Sequence, residues 1–257
     1  MQMDTAAIVE PIDVSLLVRR EQAQTLAQSM KITLAANCFL ALSVVAMIWD
    51  RLPRVGLAIW FGLILATNVV RLLMVAVAYR NDILVMRPER FLRQSWIGAL
   101  IAGIAWSALM AATFSYGVGF NSAATFVYCG ITAGSVIQAR SHATTAWAFL
   151  MPIGLAYFVC LFCLGSLEGY ILAVDVLLYI VMLARSAIYA QRAFMDGSRL
   201  KHEATEFATS LEAANDIAAV AVKRLEYLAN HDPLTGLANR TAFGNAFERS
   251  LDRARLG

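Results

Sequence analysis

Four groups of residues in this 257-residue chain have types and spacings that could do chemistry. Cys160 and Cys163 form a C-x-x-C, a spacing that in a soluble protein points to zinc or redox chemistry. No second pair and no neighbouring histidine accompanies it, and Cys38 and Cys129 also lie in apolar runs. The pair therefore reads as two small apolar helix residues. The three histidines are His142, His202 and His231. None lies well inside an apolar run, so a bis-histidine haem or a histidine-rich copper site within a bilayer has no ligands. Asn68 and Arg71 are three residues apart, on one face of a helix, and Asp175 sits in a later apolar run. Ionisable groups inside a membrane span are costly and mark functional sites by default. Asn68, Arg71 and Asp175 thus form a candidate intramembrane polar site, for sensing a signal or ligand or for structural pairing. Arg71 lies roughly 12 Å from the inner end of its helix and can partly snorkel. Asp175 is near the outer interface, at a different depth. The fourth group, His231 to Arg240, holds no nucleophile, metal cluster or phosphate loop.

The elements that must position these residues follow from composition. The chain is 60% apolar and 15% charged, against about 45–50% and 25% for soluble domains. A soluble fold of this size would leave large apolar patches exposed. Composition excludes an ordinary soluble enzyme, a disordered chain, a collagen and a disulfide scaffold. It is also uneven. Residues 186–257 carry nine basic and nine acidic side chains, which is soluble composition. The net charge of +3 belongs wholly to residues 1–185 and reads as membrane topology, not as a nucleic-acid footprint.

Six segments are long and apolar enough to be read as spans of ~30 Å of hydrocarbon: 32–49, 55–79, 96–116, 120–139, 146–167 and 170–190. The fourth is rich in Gly, Ser, Thr and Ala, and its Gly130 and Gly134 permit close helix contact. The first 30 residues are mostly polar and carry no cleavable signal peptide. With the N-terminus inside, the inner segments hold eight Lys and Arg residues and the outer loops only Arg51 and Arg54. The bias places both termini in the cytoplasm.

Beyond the sixth span, Leu200, Ala204, Phe207, Leu211, Ala214, Ala218, Ala221, Leu225 and Leu228 alternate spacings of four and three. That heptad seam predicts a parallel dimeric coiled coil, modest in stability because it is Ala-rich, with an amphipathic helix packed on its own protein as the alternative. Gly197 and Ser198 are a candidate hinge between span and coil. After the seam, Asp232 suits a helix N-cap and Pro233 a first helical position. Gly236 breaks the turn, and Asn239 caps a new helix from Arg240 with Phe243, Phe247, Leu251 and Ala254 on one face.

The run Asp232-Pro-Leu-Thr-Gly-Leu-Ala-Asn-Arg240 behind a heptad helix closely resembles the opening signature of GGDEF domains, the diguanylate cyclase family. Asp232, Leu234, Thr235, Gly236, Leu237, Asn239 and Arg240 match it. The resemblance covers residues 231–257 and gives these positions a structural role. The family's metal-binding carboxylates, guanine contacts, G-G-[DE]-E-F loop and R-x-x-D site have no counterpart in the chain. No catalytic, cofactor-binding or metal-binding residue is therefore assigned, and this chain is expected to be inactive, as a fragment or truncated product. The membrane half resembles the sensor regions that precede such domains only in architecture.

The resulting expectation is an all-α chain: a six-helix transmembrane bundle, a long cytoplasmic coiled-coil helix and the first helix of an incomplete α/β GGDEF domain. Its parts are a cytoplasmic N-terminal segment (1–31), a sensor region (32–190), a signalling linker (191–230) and the start of the domain (231–257). The resemblance implies a bacterial inner-membrane signalling protein whose intact form joins two GTP into cyclic di-GMP with Mg²⁺ or Mn²⁺. The expected partners are the lipid bilayer and a second copy through residues 200–228. GTP binds only with the full domain, and nucleic acid is not expected. Alternatives are a degenerate GGDEF domain followed by a cyclic di-GMP phosphodiesterase, and a non-enzymatic six-span membrane protein.

Overall fold

The structure, a computed structural model, describes residues 14–115, 122–233 and 235–256. Parts of four expectations lie outside the described residues: the start of the N-terminal segment (1–13), the facing ends of the third and fourth spans (116–121), Leu234 of the opening motif, and Gly257. The elements are helices: α1 (Val14–Ile48), α2 (Arg54–Arg80), α3 (Ile83–Met86), α4 (Pro88–Ser115), α5 (Ser122–Gln138), α6 (Ala143–Phe162), α7 (Leu167–Asn230) and α8 (Arg240–Leu256). There is no strand among the described residues, only an isolated bridge between His231 and Ala238. The chain forms two compact units, Met1–Arg199 and Leu200–Gly257.

Among the described residues five helices are long and apolar enough to cross a membrane: α1, α2, α4, α6 and α7. The chain is a membrane protein by this measure. The predicted fourth span corresponds to α5, whose 17 described residues reach about 26 Å at 1.5 Å each. That is short of a full span, so the six-span count is not reached among the described residues. Pro88 opens α4, where its missing N–H costs nothing. Asp82 turns the chain between α2 and α3 at φ 51, a left-handed conformation that Asp tolerates better than most residues.

The N-terminal segment is not separate from the bundle. Helix α1 begins at Val14 and passes through residue 31 unbroken. Ala23, Leu26, Ala27 and Met30 are fully buried on one stripe, in a cluster with Leu84, Phe91, Ala139 and Leu150. Gln22 Nε2 donates to Ser141 O at 2.8 Å and Ser141 Oγ returns a bond to Gln22 O at 3.2 Å. Arg20 Nε donates to Val85 O at 2.8 Å, and Arg19 pairs with Glu89. Helix α7 runs through the candidate hinge at Gly197 and Ser198 without a break. Ser198 is buried and its hydroxyl donates to the Glu21 carboxylate.

Close helix approach occurs at glycines other than the predicted pair. A Cβ on Gly103 would stand 2.6 Å from Phe149 O, and one on Gly154 2.7 Å from Ile180 Cγ1. Gly130 and Gly134 have nothing within 4 Å of such an atom. Lipid competes with apolar side chains for helix faces, so backbone approach of this kind is what selects partners. A second core holds an edge-to-face ladder of aromatic rings. Centroids are 5.0 Å apart for Trp60–Trp106, 5.8 Å for Trp106–Tyr128 and 5.8 Å for Tyr128–Tyr157. Trp60 Nε1 donates to Ala105 O at 2.7 Å and Trp106 Nε1 to Asn37 Oδ1 at 3.3 Å, so both buried indoles are satisfied.

In the second unit the heptad seam lies uncovered. Leu200, Phe207, Leu211, Leu225 and Leu228 are all exposed. The opening run of the motif forms one helix start, not two. Asp232 accepts at Oδ1 from Thr235 N at 2.9 Å and Thr235 Oγ1 at 3.0 Å. Its side chain therefore closes a turn, and no helix follows Pro233.

Candidate functional site

The polar residues singled out in the apolar runs divide between two cavities of the bundle. Asn68 and Arg71, one turn apart on α2, are 2% and 6% exposed. Asn68 Nδ2 lies 3.1 Å from Cys38 Sγ. Arg71 does not snorkel. Its aliphatic stem lies against α4, where a Cβ on Gly98 would come within 3.3 Å of Arg71 Cγ. The side chain borders a cavity of about 210 Å³. Asn37 of α1 and Ser135 and Gln138 of α5 border the same space, as does Thr145 of α6. Arg71 Nε, Gln138 Nε2, Asn68 Oδ1 and Ser95 Oγ are buried with no hydrogen-bond partner among the described residues.

Asp175 is not part of this arrangement. It is exposed on α7 and borders a different, apolar cavity of about 290 Å³ together with Tyr128, Tyr157 and Tyr179. There two of the three tyrosine hydroxyls meet threonines, Tyr157 with Thr125 at 2.7 Å and Tyr179 with Thr132 at 3.0 Å. The ion pairs seen include Arg19–Glu89 and Arg54–Asp50, and none joins Arg71 to Asp175. The candidate triad is thus a pair, Asn68 and Arg71, and a separate carboxylate. Gln138, Asn37 and Thr145 join the site although no charged residue lies within three or four positions of them on their own helices to mark a polar face. An amide at position 37, in the middle of an apolar run, was the available signal.

Of the other candidates, the four cysteines are free thiols, with Cys160 buried and Cys163 exposed. His142 is the residue before α6, and its Nδ1 shares a 2.8 Å hydrogen bond with Thr145 Oγ1. Burial holds its imidazole below the ordinary value of 6.5.

The opening motif is built as a stapled turn at the base of α7. Asp232 N donates to Leu237 O and Gly236 N to Asp232 O, both at 2.8 Å. Gly236 takes φ +71, where any side chain is strained. Asn239 does three things. Its N donates to Asn230 O at 2.9 Å. Its Nδ2 donates to Ala229 O at 2.7 Å, satisfying a carbonyl left free at the end of α7. Its Oδ1 accepts from Ala242 N at 2.9 Å, capping α8 as the sequence predicts. His231 stacks on Tyr227 with centroids 4.3 Å apart. Leu237, Phe243, Phe247 and Leu251 are exposed. No group of three or more His, Cys, Asp or Glu that could hold a metal occurs among the described residues.

Comparison with protein-family models, with curated proteins and with solved structures gives no match.

Proposed function

We propose that the chain is the membrane sensor and signalling linker of a diguanylate-cyclase-type protein, carrying the opening turn of its GGDEF domain. The observation that supports this reading is the stapled turn. Asp232, Thr235, Gly236 and Asn239 each hold the backbone in one conformation at the end of a long helix, which is the structural role the family resemblance gives them. The apolar side chains of α8 stand exposed, as expected of a first helix that packs against further chain. The excess of Lys and Arg on one set of loops supports an inner-membrane location with both termini cytoplasmic, and α5 completes a bundle of six spans in this reading.

In such a protein, each output domain binds one GTP with Mg²⁺ or Mn²⁺, which supplies charge neutralisation at the phosphates. The carboxylates for that metal belong to sequence beyond the opening turn, and residues 231–257 contribute none of the chemistry. What this chain contributes is alignment. Two half-sites react only when held together in register. The exposed seam of Leu200–Leu228 is the surface that would pair two copies. A signal in the bundle acts by biasing that pairing through α7.

The test is expression of the gene with the coding sequence that follows codon 257, with intracellular cyclic di-GMP as the readout. Replacing Leu225 and Leu228 by Gln is expected to lower cyclic di-GMP to the level of a vector control. Unchanged output overturns the alignment mechanism. A downstream sequence without a G-G-[DE]-E-F loop overturns the cyclase reading.

A further inference from the structure

The cavity beside Arg71 has the features of a ligand site. A guanidinium is always charged, and Arg71 is 6% exposed with no ion pair among the described residues. A buried cation without a counter-charge is costly, and membrane proteins retain such groups where something else pairs with them. Two residues of the cavity wall, Arg71 and Gln138, each carry a buried nitrogen without a hydrogen-bond partner among the described residues. Both are N–H donors, and the guanidinium keeps its positive charge beside the cavity. Asn37 Oδ1, on the same wall, is already used by the Trp106 indole.

Size and polarity narrow the class. The cavity measures about 210 Å³. An apolar cavity of about 150 Å³ takes a benzene ring, so the space suits a ring of that size with a small polar group attached. The rest of the wall is apolar at Ile131 and Phe149, which a bare inorganic ion would leave unfilled. A single cation balances a single negative charge, which favours a carboxylate over a phosphate dianion. The glycines of α5 make the room, because Gly134 faces the cavity with nothing within 4 Å of an added Cβ. We infer that the bundle binds a small organic monocarboxylate, its charge paired with Arg71 and its apolar body lying between α5 and α6. This goes beyond the proposed output function and does not depend on it.

The experiment uses the full chain in phosphatidylcholine nanodiscs and titrates benzoate, with benzamide as the neutral analogue, by calorimetry and thermal melting. Saturable binding of benzoate, with benzamide at least about tenfold weaker, is expected from the strength of a charge-assisted contact. Arg71→Met is expected to weaken benzoate by about 10- to 100-fold. Should that variant fail to fold, Gly134→Leu serves instead. Its side chain enters open space and replaces a glycine within a helix, so folding is retained while binding is lost. The inference is overturned if benzoate does not bind, if benzamide binds equally well, or if Gly134→Leu binds benzoate as the parent does.

Discussion

At the scale of single residues, the opening turn makes its local demands at Asn239 and Gly236. Asn239 joins the last turn of α7 to the first turn of α8 through one amide. Asn239→Ala should cost about 1 kcal/mol from the lost cap alone, read as faster hydrogen exchange of the Gly236–Gly244 amides. Gly236→Ala should cost about 1–2 kcal/mol, because its φ of +71 is a left-handed one. His142 gives a pH dependence. Its folded value is depressed below 6.5, so just below that pH the unfolded chain binds a proton that the folded chain refuses. Stability is therefore full above the unfolded value and falls as pH drops toward the folded one. The positive end of α6, next to His142, works in the same direction. Melting temperature in detergent should fall on acidification below about pH 6.5, and His142→Gln should flatten that decline.

At the scale of helices, the decisive contacts are backbone approaches that no pattern of sequence announced. Gly130-x-x-x-Gly134 has the spacing of a packing motif, yet both positions face space. Gly103, in a run of alternating small residues, is where α4 meets the backbone of α6 at Phe149. Gly103→Ala should destabilise the bundle by about 1–3 kcal/mol through overpacking, whereas Gly134→Ala should be neutral or stabilising. Thermal melts of the two variants in detergent would separate them. The apolar helices were legible from run length, since the bilayer sets that length. The packed part of α1 before residue 31 was not, because its buried side chains recur every three or four positions among Gln, Thr and Ser and make no apolar run of span length. Arg71 was legible as a buried charge. The cavity beside it was not, because it depends on α1, α2, α5 and α6 converging, and nothing local encodes that. At the opening turn, Asn239 was legible as a cap. Asp232 looked equally like one, but Gly236 turns the chain too soon for a helix to follow.

At the scale of the whole molecule, the chain has the two compositions that its sequence shows: a unit whose outward side chains suit lipid, and a unit with an apolar seam left open to water. An exposed row of Leu, Phe and Ala at heptad spacing favours association of a second copy. In detergent micelles the chain should run as a dimer by light scattering, and Leu225→Glu with Leu228→Glu should shift it to monomer. A parent chain that is monomeric at micromolar concentration would remove the alignment mechanism.

The aromatic ladder has an optical consequence. The chain holds five tryptophans, and Trp60 and Trp106 are buried ring to ring at 5.0 Å. Trp106 also donates its indole N–H to Asn37, whose side chain borders the cavity beside Arg71. A carboxylate entering that space changes the field and the hydrogen bond felt by one indole of a coupled pair. The intrinsic emission of the bundle is thus a label-free indicator of whether the cavity is filled.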